Sequence, residues 1–259
     1  MTMSSAVIAI DDAAFTIAAP ATRCHGVMAT TRIGISGWRY SPWRGVFYPS
    51  DLVQRDELAY ASRQFPTIEL NGSFYSLQRP ESYQSWYEAT PKGFVFAVKG
   101  PRFITHTLRL RDVEKPLANF FASGVLALRE KLGPVLWQFP PSFRFEPERF
   151  EAFLAMLPTN VKAAAALGRK HDAHLKREPY LEVGRNHRLR HAVEIRNESF
   201  VDPSFITVLR KYVFFNVVQN VPVIATLNAA DAILTLAALG FLGYGIQPTD
   251  AAEWGYDVQ

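Results

Sequence analysis

Glu69 and Asn71 stand two residues apart in Thr-Ile-Glu-Leu-Asn, and Glu194 and Arg196 stand two apart at the end of a later apolar run. In an extended strand that spacing puts both members of a pair on one face. Lys99 closes the run from Phe94, Gln138 closes the run from Val135, and Ser36 lies near the end of Arg-Ile-Gly-Ile-Ser-Gly. A carboxylate in such a place can take or give a proton. Lys99 and Arg196 can hold an anionic group or stabilise developing negative charge. Thr105-His106, in the segment after Lys99, adds a ring that titrates near neutral pH. The expected catalytic set is therefore Glu69, Lys99, His106, Glu194 and Arg196. The expected binding set is Trp38, Tyr40, Asn71, Tyr75 and Gln138. No HExxH or CxxC spacing is present, so neither a metal nor another cofactor is expected. Ser-His-Asp, P-loop and GxGxxG signatures are absent as well.

The elements that must carry these residues alternate. Short apolar runs at 32–37, 67–71, 94–99, 135–138 and 192–196 read as strands. Between them, 51–64, 81–89, 119–132 and 147–156 read as helices, the third with apolar residues near 3.6 spacing. Asp202-Pro203 opens a further helix over about 204–211, with Asp202 as N-cap. Strands alternating with helices argue for βαβ units and a parallel sheet. In an eight-unit barrel of that kind the chemistry sits at the C-terminal ends of the strands, where all five runs here carry polar residues. The same residues also suit ion pairing inside a barrel mouth, since a buried Glu or Lys is costly unless paired. Trp38, Tyr40, Trp43, Phe74 and Tyr75 follow the first two strands. They suit stacking on a sugar or base, and equally core and rim packing.

Composition is ordinary for a globular chain, at 48% hydrophobic and 20% charged residues. The lone cysteine, Cys24, excludes an intramolecular disulfide and fits a reducing compartment. Residues 1–31 read as a disordered or miscalled extension, because Asp11 and Asp12 interrupt any signal-like apolar run; Met28 is the expected start. Charge is unevenly spread. All 28 Lys and Arg lie at or before Lys211, so residues 1–211 carry 28 − 20 = +8 and the last 48 carry −4. The stretch from Arg169 to His191 is dense in Lys, Arg and His, as in a phosphate-contacting surface or a solvated loop. Val213 to Ile246 holds a single charge, Asp231, and is long enough to span a membrane. A charge at its middle would be costly in lipid.

Five ordered motifs carry a family resemblance: Gly34-Ile-Ser-Gly-Trp-Arg-Tyr40 with Phe47-Tyr-Pro49, Glu69-Leu-Asn-Gly-Ser-Phe-Tyr75, Phe94-Val-Phe-Ala-Val-Lys99 with Thr105-His106, Leu136-Trp-Gln-Phe-Pro-Pro-Ser-Phe143, and Glu194-Ile-Arg196 with Ser199-Phe200. Together they resemble the domain of unknown function 72 family (YecE-like) over about residues 32–211. The resemblance implies a TIM-type barrel in the bacterial cytosol and supplies no substrate or catalytic residues. The family pattern has His after the fifth-strand Arg, where this chain has Asn197; the later Arg-Leu-His-Gly and Phe-Asn-Asn motifs are absent. Residues 214–259 are instead similar to a C-terminal fragment of a dipeptide or oligopeptide ABC transporter permease.

The resulting expectation is an incomplete TIM-type (β/α)₈ barrel of about five βα units over 32–211, joined near residue 211 to a permease-like apolar segment that suits a transmembrane helix. The barrel part is expected to be cytoplasmic and to act on a small polar or anionic ligand by acid–base hydrolysis, with function impaired if the junction is real. The alternatives are a noncatalytic ligand- or nucleic-acid-binding module, and a membrane-anchored transporter fragment.

Overall fold

Among the described residues, five of six strands run parallel, each beside its sequence neighbour. The structure is a computed structural model, and it describes residues 6–10 and 32–217. Its elements are β1 (Ala6–Ile10), β2 (Ile35–Ser36), α1 (Glu57–Gln64), β3 (Thr67–Leu70), α2 (Gly72–Tyr75), α3 (Pro80–Ala89), β4 (Val95–Lys99), α4 (Glu114–Ala122), β5 (Leu132–Gln138), α5 (Pro147–Met156), α6 (Val161–Gly168), β6 (His191–Ile195) and α7 (Pro203–Val217). The sheet order is β1-β6-β5-β4-β3-β2. Pairs β2–β3, β3–β4, β4–β5 and β5–β6 are parallel, and β1 lies antiparallel on β6. By its contacts the chain divides into residues 1–215 and 216–259, and the fold described is that of the first unit.

The two faces of the sheet differ in character. Ile68, Leu70, Phe96, Val98, Val135, Trp137 and Val193 are buried in the main apolar core. Trp137 meets Phe120 of α4 and Phe153 of α5 edge-on, at 5.9 and 5.2 Å between ring centroids. Along β3 and β4 every second residue is instead partly exposed: Thr67, Glu69, Val95, Ala97 and Lys99. A period of two therefore sends apolar branches to the core and leaves the other face for Glu69 and Lys99. The same alternation puts Gln138, Glu194 and Arg196 opposite Trp137 and Val193.

Several boundaries differ from the sequence expectation. The helix expected over 119–132 is broken: α4 ends at Ala122, and a tighter 3₁₀ stretch follows over Val125–Lys131. Gly124 makes the break. Its φ is 128°, and a Cβ there would come within 2.6 Å of the Pro80 backbone. Apolar spacing registers the buried face but not a break of this kind. Helix α6 lies in the stretch that the alternation leaves unassigned; Asn160 caps it, its side chain accepting from the Ala163 N–H at 2.9 Å. The expected Asp202 cap is present, with the Ser204 N–H donating to its carboxylate at 2.7 Å. Ala6–Ile10, inside the segment that reads as an unpatterned extension, pairs with His191–Ile195. Its Ala-Val-Ile-Ala-Ile composition suits a strand, and there it covers an edge of β6.

Among the described residues no helix is long and apolar enough to cross a membrane. The apolar stretch that reads as membrane-spanning and the permease-like segment begin at the end of α7, and from residue 218 onward they lie outside the described residues.

Candidate functional site

The parallel strands deliver their polar termini to one edge, and two clusters form there. In the first, the Ser36 hydroxyl donates to Glu69 Oε1 at 2.9 Å, and Asn71 Nδ2 donates to the Ser36 hydroxyl at 2.7 Å. Lys99 Nζ lies 3.6 Å from the same Glu69 oxygen. Register makes this work, because Ser36 stands opposite Glu69 and Glu69 opposite Ala97, two residues before Lys99. In the second, Gln138 stands opposite Glu194. Its Nε2 donates to Glu194 Oε2 at 2.7 Å, and Arg196 Nε donates to Glu194 Oε1 at 2.7 Å. Glu194 is buried, so these donors supply what water would otherwise provide.

The charges of both clusters bear on His106. It sits in the π-helical turn Phe103–Thr107, in the loop after β4. Gly100 lets that loop leave the strand, since a Cβ there would overlap the Trp137 ring at 2.4 Å. The His106 ring packs edge-on against Phe74 at 5.2 Å, and Lys99 Nζ lies over the same Phe74 ring at 5.3 Å. Burial first, and then the charges of Arg102, Arg196 and Lys99, hold the His106 pKa below its usual value. Residues of both clusters are thus within electrostatic reach of one imidazole. Of the cations that bear on it, Lys99 pairs with Glu69 and Arg196 with Glu194.

The loop bearing His106 is held in a costly shape. Arg109, Leu110 and Asp112 have φ of 51°, 65° and 50°, in the left-handed region that side chains other than glycine disfavour. Arg109 anchors the loop to the segment after β5. Its Nη2 donates to the Ser142 carbonyl at 2.6 Å, and its guanidinium lies 5.7 Å from the centre of the Phe143 ring. Strain of this sort, of about 1–3 kcal/mol per residue, persists only where surrounding contacts determine the conformation. A π-turn in such a loop is a feature that recurs at functional sites.

Of the expected residues, Glu69, Lys99, Asn71, Gln138, Glu194 and Arg196 gather at this edge, and His106 packs on Phe74 within reach of the charges of Lys99 and Arg196. Tyr40 and Tyr75 lie on the rim. The Tyr40 hydroxyl donates to the Ser36 carbonyl, and Tyr75 is 71% exposed, edge-on to Phe74. Trp38 is elsewhere. It is buried in the core, edge-on to Trp86 at 5.5 Å, which is the packing role that the sequence also allows for it. Arg102 and Phe74 complete the surroundings of His106; Arg102 is not among the expected residues, and Phe74 is expected only as one of five aromatics suited to stacking or to packing. Arg102 is detectable only as a cation three residues past a strand-ending lysine, and Phe74 reads as one more aromatic. Among the described residues no three of His, Cys, Asp and Glu are grouped to hold a metal ion.

The profile of the family described as "Protein of unknown function DUF72" matches residues 32–236, most of the chain and every residue of this edge. The chain belongs to the DUF72 family. The match runs past Lys211, where the sequence reads as a junction. UPF0759 protein YunF of Bacillus subtilis (strain 168) is 31% identical over 121 residues, 45% of this chain and 42% of that protein. UPF0759 protein YecE of Escherichia coli (strain K12) is 29% identical over 111 residues, 43% of this chain and 38% of that protein. The matched region thus spans about two fifths of the length of these curated relatives. A crystal structure of a DUF72 family protein (EF0366) from Enterococcus faecalis V583 is similar to 70% of this chain and 57% of its own, at 18% identity and a TM-score of 0.45.

Proposed function

We propose that this DUF72 chain contributes five βα units to a TIM-type barrel whose polar edge binds a small anionic substrate and hydrolyses it by acid–base chemistry. The barrel reading is supported by strand order. Sequential parallel neighbours from β2 to β6 match single winding, whereas a doubly wound sheet reverses order at a switch point. The function rests on a single observation: at the C-terminal ends of parallel strands the charges of Lys99, Arg102 and Arg196 bear on one imidazole, and Lys99 and Arg196 each pair with a carboxylate. Cations in excess of carboxylates favour an anion. Lys99 and Arg196 would hold it and stabilise charge that develops on its oxygens. Glu69, partly exposed, would take a proton from an attacking water. Glu194 has both oxygens engaged and would keep Arg196 and Gln138 in place.

Isothermal titration of the full chain with inorganic phosphate tests the anion reading. Wild-type protein should give one saturable site. Lys99→Ala should weaken it about tenfold, the effect of losing one partly desolvated charge contact. Glu69→Ala should leave phosphate binding while removing turnover of any hydrolysed ester. Phosphate affinity that Lys99→Ala leaves unchanged contradicts the proposal.

A further inference from the structure

His106 is held from two directions. Its Nδ1 lies 2.9 Å from the hydroxyl of Thr105, which is fully buried, and its ring edge meets Phe74. Proton uptake at Nε2 requires the neutral tautomer in which Nδ1–H donates to the Thr105 hydroxyl, which leaves Nε2 as the bare nitrogen that takes up the proton and meets a ligand. The charges that bear on the ring come from three places: Arg102 on its own loop, Lys99 at the end of β4, and Arg196 just beyond β6. The carboxylates of this edge are committed to those cations, Glu69 to Lys99 and Glu194 to Arg196. An imidazole in that setting is kept neutral by burial and by positive neighbours, and an incoming negative charge reverses the second effect.

Resting on the reading of this edge as an anion site, we infer that an oxyanion held by Lys99, Arg102 and Arg196 binds together with a proton, which His106 takes up from solvent, so that its Nε2–H donates to the ligand. Thr105 is the positioning residue, fixing the ring through Nδ1. The balance is simple: imidazole plus a solvent proton gives imidazolium, and no bond in the ligand changes on binding. The imidazolium is then the acid able to return that proton to a leaving oxygen, and the ring becomes neutral again.

The sign of the pH dependence follows. With burial and its cationic neighbours alone acting on it, the His106 pKa lies below its usual value of 6.5, so the ring is neutral at pH 7. A bound oxyanion raises it. Binding takes up a proton between the two values, and affinity falls as pH rises through the higher one.

The test is a nuclear magnetic resonance titration of the full chain with sodium sulfate, whose own charge is constant across about pH 5–8, the range in which histidine responds. Sulfate should shift the Lys99 and Arg196 amides and raise the His106 midpoint by about one unit, with about tenfold tighter binding at the acid end of that range. His106→Gln should bind sulfate with an affinity independent of pH. Thr105→Val should shrink the midpoint rise and Thr105→Ser should retain it. A parallel titration with acetate separates a tetrahedral-oxyanion site from a carboxylate site, and the midpoint rise with either anion supports the inference. Sulfate that shifts the Lys99 and Arg196 amides without moving the His106 midpoint overturns the inference and leaves the site reading in place. Sulfate that shifts neither amide overturns both.

Discussion

Acidification should remove on the order of 3 kcal/mol of stability through His191 alone, as pH falls from its ordinary 6.5 to about 4. His191 is buried behind the sheet and away from the candidate site. Trp137 Nε1 donates to its Nδ1 at 3.1 Å, and its Nε2 lies 2.9 Å from the Pro158 carbonyl, which can only accept. These two partners fix one neutral tautomer, with the proton on Nε2. A second proton on Nδ1 would face the tryptophan N–H donor to donor. Burial is the larger cause of the shift, and the Pro158 carbonyl opposes it in part. The folded value is thus depressed. The stabilising contribution is complete above 6.5 and is lost as pH falls, because the unfolded chain takes up the proton first. Urea unfolding midpoints measured between about pH 6.5 and 5, above the range where most carboxylates titrate, isolate the effect. His191→Phe should flatten the slope there, at a constant cost of about 1–3 kcal/mol for the unpaired Trp137 N–H and Pro158 carbonyl. An equal slope in wild type and variant would refute this account of His191.

Arg196→Ala should have the second large effect, on stability and binding together. Glu194 is 7% exposed, and Arg196 supplies the donor to one of its two oxygens. Removing the guanidinium strands that oxygen. Breaking a fully buried pair costs about 3–5 kcal/mol, but the Arg196 side chain is 36% exposed, so about 2 kcal/mol is expected. Anion affinity should fall about tenfold or more, since the site also loses a cation that bears on His106. Arg196→Lys should restore part of the affinity and little of the stability, because an ammonium cannot reproduce the Nε and Nη contacts to Glu194. Urea midpoints and phosphate titrations on the three proteins check both statements. An Arg196→Ala protein with undiminished phosphate affinity would remove this residue from the site.

Much of the site could be read from single residues. Glu69, Lys99, Gln138 and Glu194 interrupt apolar runs at strand ends, where a core-facing run has no use for them. The period of two then assigns them to one face, and a parallel sheet assigns them to one edge. What escaped depends on contacts between distant segments. Trp38 reads as a stacking platform until Trp86 of α3 is seen to cover it. The end of α4 is set by the approach of Pro80 to Gly124, forty-four residues apart in the chain (124 − 80), and periodicity carries no sign of it. Arg102 joins the candidate site only because it lies on the loop that carries His106, and Phe74, legible as an aromatic for stacking or packing, meets that histidine through α2. The strand Ala6–Ile10 has suitable composition, but its partner, β6, lies far along the chain.

The central claim is that the ends of β3, β4 and β6 form a single anion site. A crystal structure of the full chain grown with inorganic phosphate tests it most directly. The account predicts phosphate oxygens within about 3 Å of Lys99 Nζ and the Arg196 guanidinium, with His106 Nε2 as a further donor. Phosphate bound elsewhere, with Lys99 and Arg196 engaged only by Glu69 and Glu194, would contradict it.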